Sequence, residues 1–137
     1  MTSVDGRVNE MLAAATAARA QAHAPYSQFP VGAALLDDAG RIHAGCNVEN
    51  AAYPQSQCAE AGAIGNMVLA GGRHLRAVLV LAGGTHPVTP CGGCRQRLRE
   101  FGAPDTPVFV AHPEHGLQQR FTLGELLPAS FGPGHLK

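Results

Sequence analysis

The sequence predicts an α/β fold, a sandwich in which helices cover a mixed sheet. Three observations lead there: a helical period near the N-terminus, a hairpin signal directly after it, and short apolar strands alternating with helical segments. Asp5 to His23 reads as the first helix, because Val8, Met11, Leu12, Ala15, Ala18 and Ala22 recur near a 3.6-residue period and Pro25 ends it. Val31 to Leu36 is strand-like, Asp37-Asp38-Ala39-Gly40 is a hairpin turn, and Arg41 to Asn47 is the return strand. Cys58 to Ala70 is a second helix, with Ala61, Ile64, Met67 and Val68 able to face a core and Gly71-Gly72 closing it. Ala77 to Ala82 is a continuous apolar run, as in a strand covered on both faces. After Gly83-Gly84 and a loop to Pro90, Cys91 to Phe101 is a third helix stopped by Gly102. Val108 to Ala111 is another buried strand, residues 112 to 120 read as an exposed loop, and Phe121 to Leu127 as a closing helical turn or loop.

Composition bounds what such a fold can do. A chain of 137 residues fits one domain, 1–137. Its 45% hydrophobic residues suffice for a core, and its 15% charged residues lie below the roughly 25% of average proteins, which excludes disorder. Ten basic and ten acidic side chains sum to zero, which argues against a surface built to grip a polyanion, so no nucleic-acid partner is expected. The sparse charge leaves room for apolar surface between subunits. No apolar run approaches the roughly 18 residues of a membrane span, and Asp5 and Glu10 do not suit a leader. A soluble, cytoplasmic protein without membrane contact is therefore expected.

The chemistry concentrates in two segments, each at the start of a predicted helix: Cys58-Ala59-Glu60 and Pro90-Cys91-Gly92-Gly93-Cys94. Cysteines three apart at a helix start share a face, and helix N-termini favour thiolates. Cys91 and Cys94 alone read as well as a redox pair or half of a structural zinc site as they do as part of a catalytic one. Cys58 makes a third thiolate, one short of a closed structural set. Zinc held by three protein ligands keeps a fourth position for water and brings that water's pKa near neutral. Glu60, two residues from a ligand, is then placed to serve as the proton carrier, although a carboxylate in a helix's first turn is also a common structural feature. Cys46, without paired spacing, reads as a small buried hydrophobe, and His112 and His115 as solvated loop residues.

A cysteine, one residue, a glutamate and then Pro-Cys-x-x-Cys is the pattern of the zinc deaminases. The likeness extends to Phe29-Pro30-Val31-Gly32-Ala33-Ala34, to Gly45-Cys46-Asn47-Val48-Glu49-Asn50-Ala51-Ala52-Tyr53 and to Arg95-Gln96. With these four linked motifs, from about Pro25 to Phe131, the chain resembles the small homotetrameric cytidine deaminases. The resemblance implies a three-layer α/β/α sandwich with a mixed sheet of about five strands, one Zn2+ per subunit, and hydrolysis of cytidine and 2′-deoxycytidine to the uridine nucleosides and ammonia in pyrimidine salvage. It implies Cys58, Cys91 and Cys94 as zinc ligands and Glu60 as the catalytic proton shuttle. For the nucleoside, it implies Asn47 and Glu49 on the ribose 3′-hydroxyl, Phe29 on the pyrimidine face, and the backbone of Ala51, Ala59 and Thr89 on the base's polar edge and leaving amine. Tyr53 and Phe131 match residues that build the pocket across subunit boundaries of a homotetramer.

One position departs from the pattern. Many three-cysteine members carry an arginine directly after the glutamate, where this chain has Ala61. Zinc with three thiolates has a net charge of −1, so positive character is expected from the two helix N-termini together with Arg95 or a neighbouring subunit. Rival readings are the same chemistry on a modified aminopyrimidine nucleoside such as blasticidin S, a structural zinc module in which Glu60 is dispensable, and a polynucleotide deaminase, which the zero net charge disfavours.

Overall fold

Five strands form one mixed sheet, in the order β2-β1-β3-β4-β5, in a computed structural model that describes residues 3–137. The strands are β1 (Val31–Asp37), β2 (Ile42–Cys46), β3 (Leu75–Ala82), β4 (Pro107–His112) and β5 (Gly116–Thr122). The helices are α1 (Val8–Arg19), α2 (Ala59–Leu69), α3 (Gly92–Arg99) and the single turn α4 (Leu123–Leu126). β3 and β4 pair in parallel, joined through α3, and every other neighbouring pair is antiparallel. Among the described residues no helix is long and apolar enough to cross a membrane.

Strand alternation sorts the core into two layers. Ala34, Leu36, Ala77, Leu79, Leu81, Phe109 and Ala111 point to one face, where Met11 and Ala15 of α1 cover them. Ala33, Leu35, Val78, Val80 and Val108 point to the other, under Ala59, Ala63 and Met67 of α2, Leu98 of α3 and Leu123 of α4. The result is a three-layer α/β/α sandwich. β3 is buried on both faces along nearly its whole length, which is why it reads as an unbroken apolar run.

Two glycines set how closely the layers approach. A Cβ at Gly32 would lie 2.1 Å from the carbonyl oxygen of Ala15, so α1 rests directly on the backbone of β1. A Cβ at Gly45 would lie 2.4 Å from the Ala63 nitrogen and 2.5 Å from the Ala59 carbonyl oxygen, so α2 rests in the same way on β2. The hairpin between β1 and β2 is fixed by the buried Asp37. Its Oδ1 accepts from the backbone N–H groups of Ala39 and Arg41, both at 2.9 Å, and its Oδ2 meets Arg41 Nε at 2.9 Å and His43 Nε2 at 2.8 Å. Burial raises the Asp37 pKa, but the bonds from His43 and Arg41 prevail and hold it below its ordinary value.

The structure corrects the sequence reading at four places. α1 ends at Arg19 rather than His23, because the His23 backbone leaves the helix to pair beside Val48, donating to Asn47 O at 3.0 Å and accepting from Glu49 N at 2.8 Å. The inward face of α2 is Ala59, Ala63 and Met67, with Ile64 packed beside them, whereas Ala61 and Val68 are half-buried. The supposed loop at 112–120 contains most of β5, an edge strand whose Leu117, Gln118, Gln119 and Arg120 are exposed, so its polarity hides it from an apolar pattern. Cys46, the last residue of the edge strand β2, is half-buried rather than core.

Two outcomes follow from these contacts. Gly45→Ala should destabilise the protein by about 2 kcal/mol or more, because the added methyl meets helix backbone that cannot rotate away, and thermal unfolding measures it. Asp37→Ala should cost about 3 kcal/mol near neutral pH, since it strands charged and N–H partners. A carboxylate whose pKa is lowered by folding stabilises fully above its unfolded pKa and loses that contribution as pH falls through the folded one. The deficit of Asp37→Ala relative to the parent chain should therefore shrink below about pH 4, as unfolding at stepped acid pH would show.

Candidate functional site

The loop from β2 and the loop from β3 deliver two helix N-termini to one place. Cys58 is the N-cap residue of α2 and Cys91 that of α3, each in extended backbone conformation with no side-chain capping bond, so both thiols are free to turn away from their own helices. Cys94 lies in the first turn of α3 and is completely buried. The three Sγ atoms lie within 4.8 Å of one another. Thiolates about 2.3 Å from a common zinc in tetrahedral geometry stand roughly 3.8 Å apart, so this cluster can close on one ion with small side-chain rotations. Three soft sulfur donors suit zinc rather than the oxygen-seeking magnesium or calcium. All four cysteines are free thiols, and Cys46 is not part of the cluster.

Electrostatics differ sharply across the cluster. Burial raises the pKa of the Cys58 thiol, and burial with the nearby Glu60 carboxylate raises that of Cys94. The exposed Cys91 is shifted the other way, chiefly by the backbone N–H of Cys94. A coordinated cation would deprotonate all three thiols and override these shifts. Glu60, only 4% exposed, has its pKa raised by burial, against weaker opposition from its own backbone N–H and the charge of Arg97. A buried carboxyl of this kind holds a proton closer to neutral pH than a surface glutamate does.

Cys58, Glu60 and Cys91 line a cavity of about 170 Å³ together with Val31, Asn47, Ala59, Val80, Val88 and Thr89. Its walls are mostly apolar with a few polar groups among them, as small-molecule sites are built. Asn47 anchors the entrance to β1: its Nδ2 donates to Phe29 O at 2.9 Å and its Oδ1 accepts from Val31 N at 2.9 Å. Glu49 and Tyr53 border a second concavity of about 340 Å³ with Tyr26, Ser27 and Ser56. There Glu49 Oε1 accepts from the backbone N–H of Tyr26 at 2.9 Å and of Ser27 at 3.1 Å, and its Oε2 accepts a short bond from Ser27 Oγ. The Ser27 bonds, led by its hydroxyl, keep the Glu49 carboxyl ionised below its ordinary range. A larger concavity of about 490 Å³ beside α1 and β5 holds no cysteine and no buried acid.

Among the remaining expected residues, Phe29, Ala51 and Phe131 line neither of the two cavities. Phe29 packs near Gly84. Ala51 is exposed, and Phe131 is exposed and stacked on His135 with ring centroids 5.0 Å apart. Tyr53, also exposed, meets Tyr26 edge-to-face at 5.6 Å. His112 and His115 stack on each other, away from the cysteines.

Arg95 is not the cation expected beside the sulfurs. It bonds instead to Pro90 O and Leu126 O at 2.7 Å and to Thr89 Oγ1 at 2.8 Å, and so pins the loop before α3. The arginine at the cluster is Arg97, whose Nη1 lies 3.6 Å from Cys94 Sγ. Sequence reasoning overlooked it, although its spacing of three from Cys94 on a helix places both on one face. Tyr26 and Ser27 were also missed, because two backbone N–H groups and one hydroxyl carry no motif and only folding brings them to Glu49.

The family described as the cytidine and deoxycytidylate deaminase zinc-binding region matches residues 7–110 of the chain. A cytidine deaminase of Sporosarcina psychrophila is 43% identical over 124 residues, which cover 90% of this chain and 90% of that protein. The cytidine deaminase of Mycobacterium tuberculosis is 42% identical over 118 residues, 86% of this chain and 84% of that one. In three dimensions the crystal structure of cytidine deaminase from Burkholderia pseudomallei superposes with a TM-score of 0.83 at 40% identity, over 90% of this chain and 98% of that one. With the fold, the cysteine cluster and these likenesses in agreement, the chain belongs to the cytidine and deoxycytidylate deaminase family and carries its zinc-binding region.

Proposed function

We propose that this protein is a zinc-dependent deaminase that hydrolyses cytidine and 2′-deoxycytidine to uridine and 2′-deoxyuridine with release of ammonia. The observation that carries the reading is the meeting of three cysteine sulfurs within 4.8 Å beside a nearly completely buried glutamate on the wall of one small cavity. Cys58, Cys91 and Cys94 would hold zinc, which when bound supplies an activated water at neutral pH. The relatives named as cytidine deaminases favour cytidine over a modified nucleoside such as blasticidin S.

The chain's own groups divide the remaining work. Glu60 carries the protons: raised by burial, its carboxyl donates to N3 of the pyrimidine, takes up a proton from the attacking water and passes it to the departing amine. Water adds at C4 and ammonia leaves, so one water is consumed per nucleoside. Val31, Val80 and Val88 exclude bulk water from the base. Asn47 retains one free N–H and a second lone pair after its backbone bonds, and Glu49 is held ionised, so both can receive the ribose hydroxyls. Thr89 and Ala59 present backbone groups for the base's polar edge, while Ala51 and Phe29, which line neither cavity of the single chain, are assigned to the base by the family resemblance. Tyr53 and Phe131, exposed in a single chain, complete pockets across the subunits of a homotetramer. The whole of 1–137 is one catalytic domain acting in pyrimidine salvage in the cytoplasm.

Incubating the zinc-loaded protein with cytidine, deoxycytidine, cytosine and CMP, while following ammonia and the ultraviolet change, should show turnover of the two nucleosides. Turnover of neither would reject the proposal. Glu60→Gln should keep the metal and reduce kcat by about 10²- to 10⁴-fold, the range of general acid–base catalysis. Cys91→Ala should lose the metal, as elemental analysis would record. A Glu60→Gln protein with full activity would remove the glutamate from the mechanism.

A further inference from the structure

Zinc at the cysteine cluster would meet three thiolates and an adjacent carboxylate, an arrangement with an excess of negative charge. Helix N-termini offset part of it, each contributing roughly half an elementary charge. Glu60 is followed in α2 by Ala61, Gly62 and Ala63, so the first turn of that helix brings no cation. α3 carries three arginines, and two are committed elsewhere. Arg95 is bound to Pro90 O, Leu126 O and Thr89 Oγ1, and Arg99 to Ser130 Oγ and Gly102 O.

Arg97 is different. Its guanidinium turns back over the first turn of α3 so that Nη1 donates to the buried Cys94 Sγ at 3.6 Å. The space for that return is left by Gly93, where a Cβ would lie 3.2 Å from Arg97 Nη1. The same guanidinium is close enough to Glu60 to act on its carboxylate. Among the described residues, one flexible cation therefore lies against a sulfur of the cluster.

We infer that Arg97 is the counter-charge of the cysteine cluster, a positioning residue whose hydrogen bond to Cys94 Sγ strengthens zinc binding and orients the thiolate. The inference rests on the zinc reading of the cluster. Because the side chain is otherwise exposed, solvent screens it, and the effect belongs at the low end of what removal of a group bonded to a metal ligand costs.

The test is a charge series, Arg97→Lys, Arg97→Gln and Arg97→Glu, with zinc affinity measured by competition against a chromophoric chelator and the metal-free proteins melted in parallel. Arg97→Gln should bind zinc about tenfold more weakly, Arg97→Glu more weakly still, and Arg97→Lys should stay closer to the parent, all with unchanged metal-free melting. In cobalt-substituted protein the thiolate-to-metal charge-transfer band should shift in Arg97→Gln and move back towards the parent in Arg97→Lys. A flat series while the parent binds one zinc overturns the counter-charge role and leaves the zinc reading standing. So does a loss in Arg97→Lys as large as in Arg97→Gln. Failure of the parent chain itself to bind zinc overturns both.

Discussion

The site depends on backbone lying directly on backbone at Gly45. Because that residue has no side chain, the first turns of α2 descend onto β2, with the Ala59 carbonyl and Ala63 nitrogen where a methyl would otherwise stand. Cys58 and Glu60 ride on that helix, and their depth in the molecule is set by this contact. The other half of the site arrives by a separate route, through the crossover from β3 to the parallel strand β4, which places α3 on the same face of the sheet. Two independent connections thus converge, and a cluster of thiols results without any one segment containing it.

Charge organises the centre that this convergence creates. Burial works against ionisation at Cys58, Cys94 and Glu60, while helix N-termini and Arg97 work for it. At Glu60 burial is opposed by its own backbone N–H and by the charge of Arg97 yet still prevails, which suits the proton-carrying role proposed for it. Glu49, about a dozen residues earlier, shows the opposite treatment: three donors from Tyr26 and Ser27 keep it charged. Two glutamates on separate concavities are therefore shifted in opposite directions, one by burial and the other by hydrogen bonding.

Much of this was legible in the sequence, for physical reasons that also explain the failures. Buried elements announce themselves: the apolar run at Ala77 to Ala82, the alanine-rich first helix and the motif cysteines at helix starts all follow from packing and ligand spacing. β5 was not legible, because an edge strand with a solvated face is selected for polarity, and its pairing with β4 uses backbone groups common to every residue. The end of α1 failed for a related reason, since nothing in Gln21-Ala22-His23 signals that the His23 backbone will pair beside Val48. The arginine at the cluster was missed because neighbours along the chain are poor guides to direction on a helix. Arg95 adjoins Cys94 in sequence yet points to the Leu126 carbonyl, and Arg97 lies one turn on and returns to the sulfur.

Asn47 joins two requirements that many enzymes keep apart. Its amide holds the carbonyl of Phe29 and the N–H of Val31, the residues on either side of Pro30, and so fixes where the chain enters the sheet. The same amide faces the cavity. A substitution at this position would therefore alter the cavity wall and the start of β1 together. Tyr53, by contrast, is exposed on a separate concavity and makes a ring contact with Tyr26, so its side chain can change without disturbing a strand. The two positions therefore differ in what a substitution costs the fold.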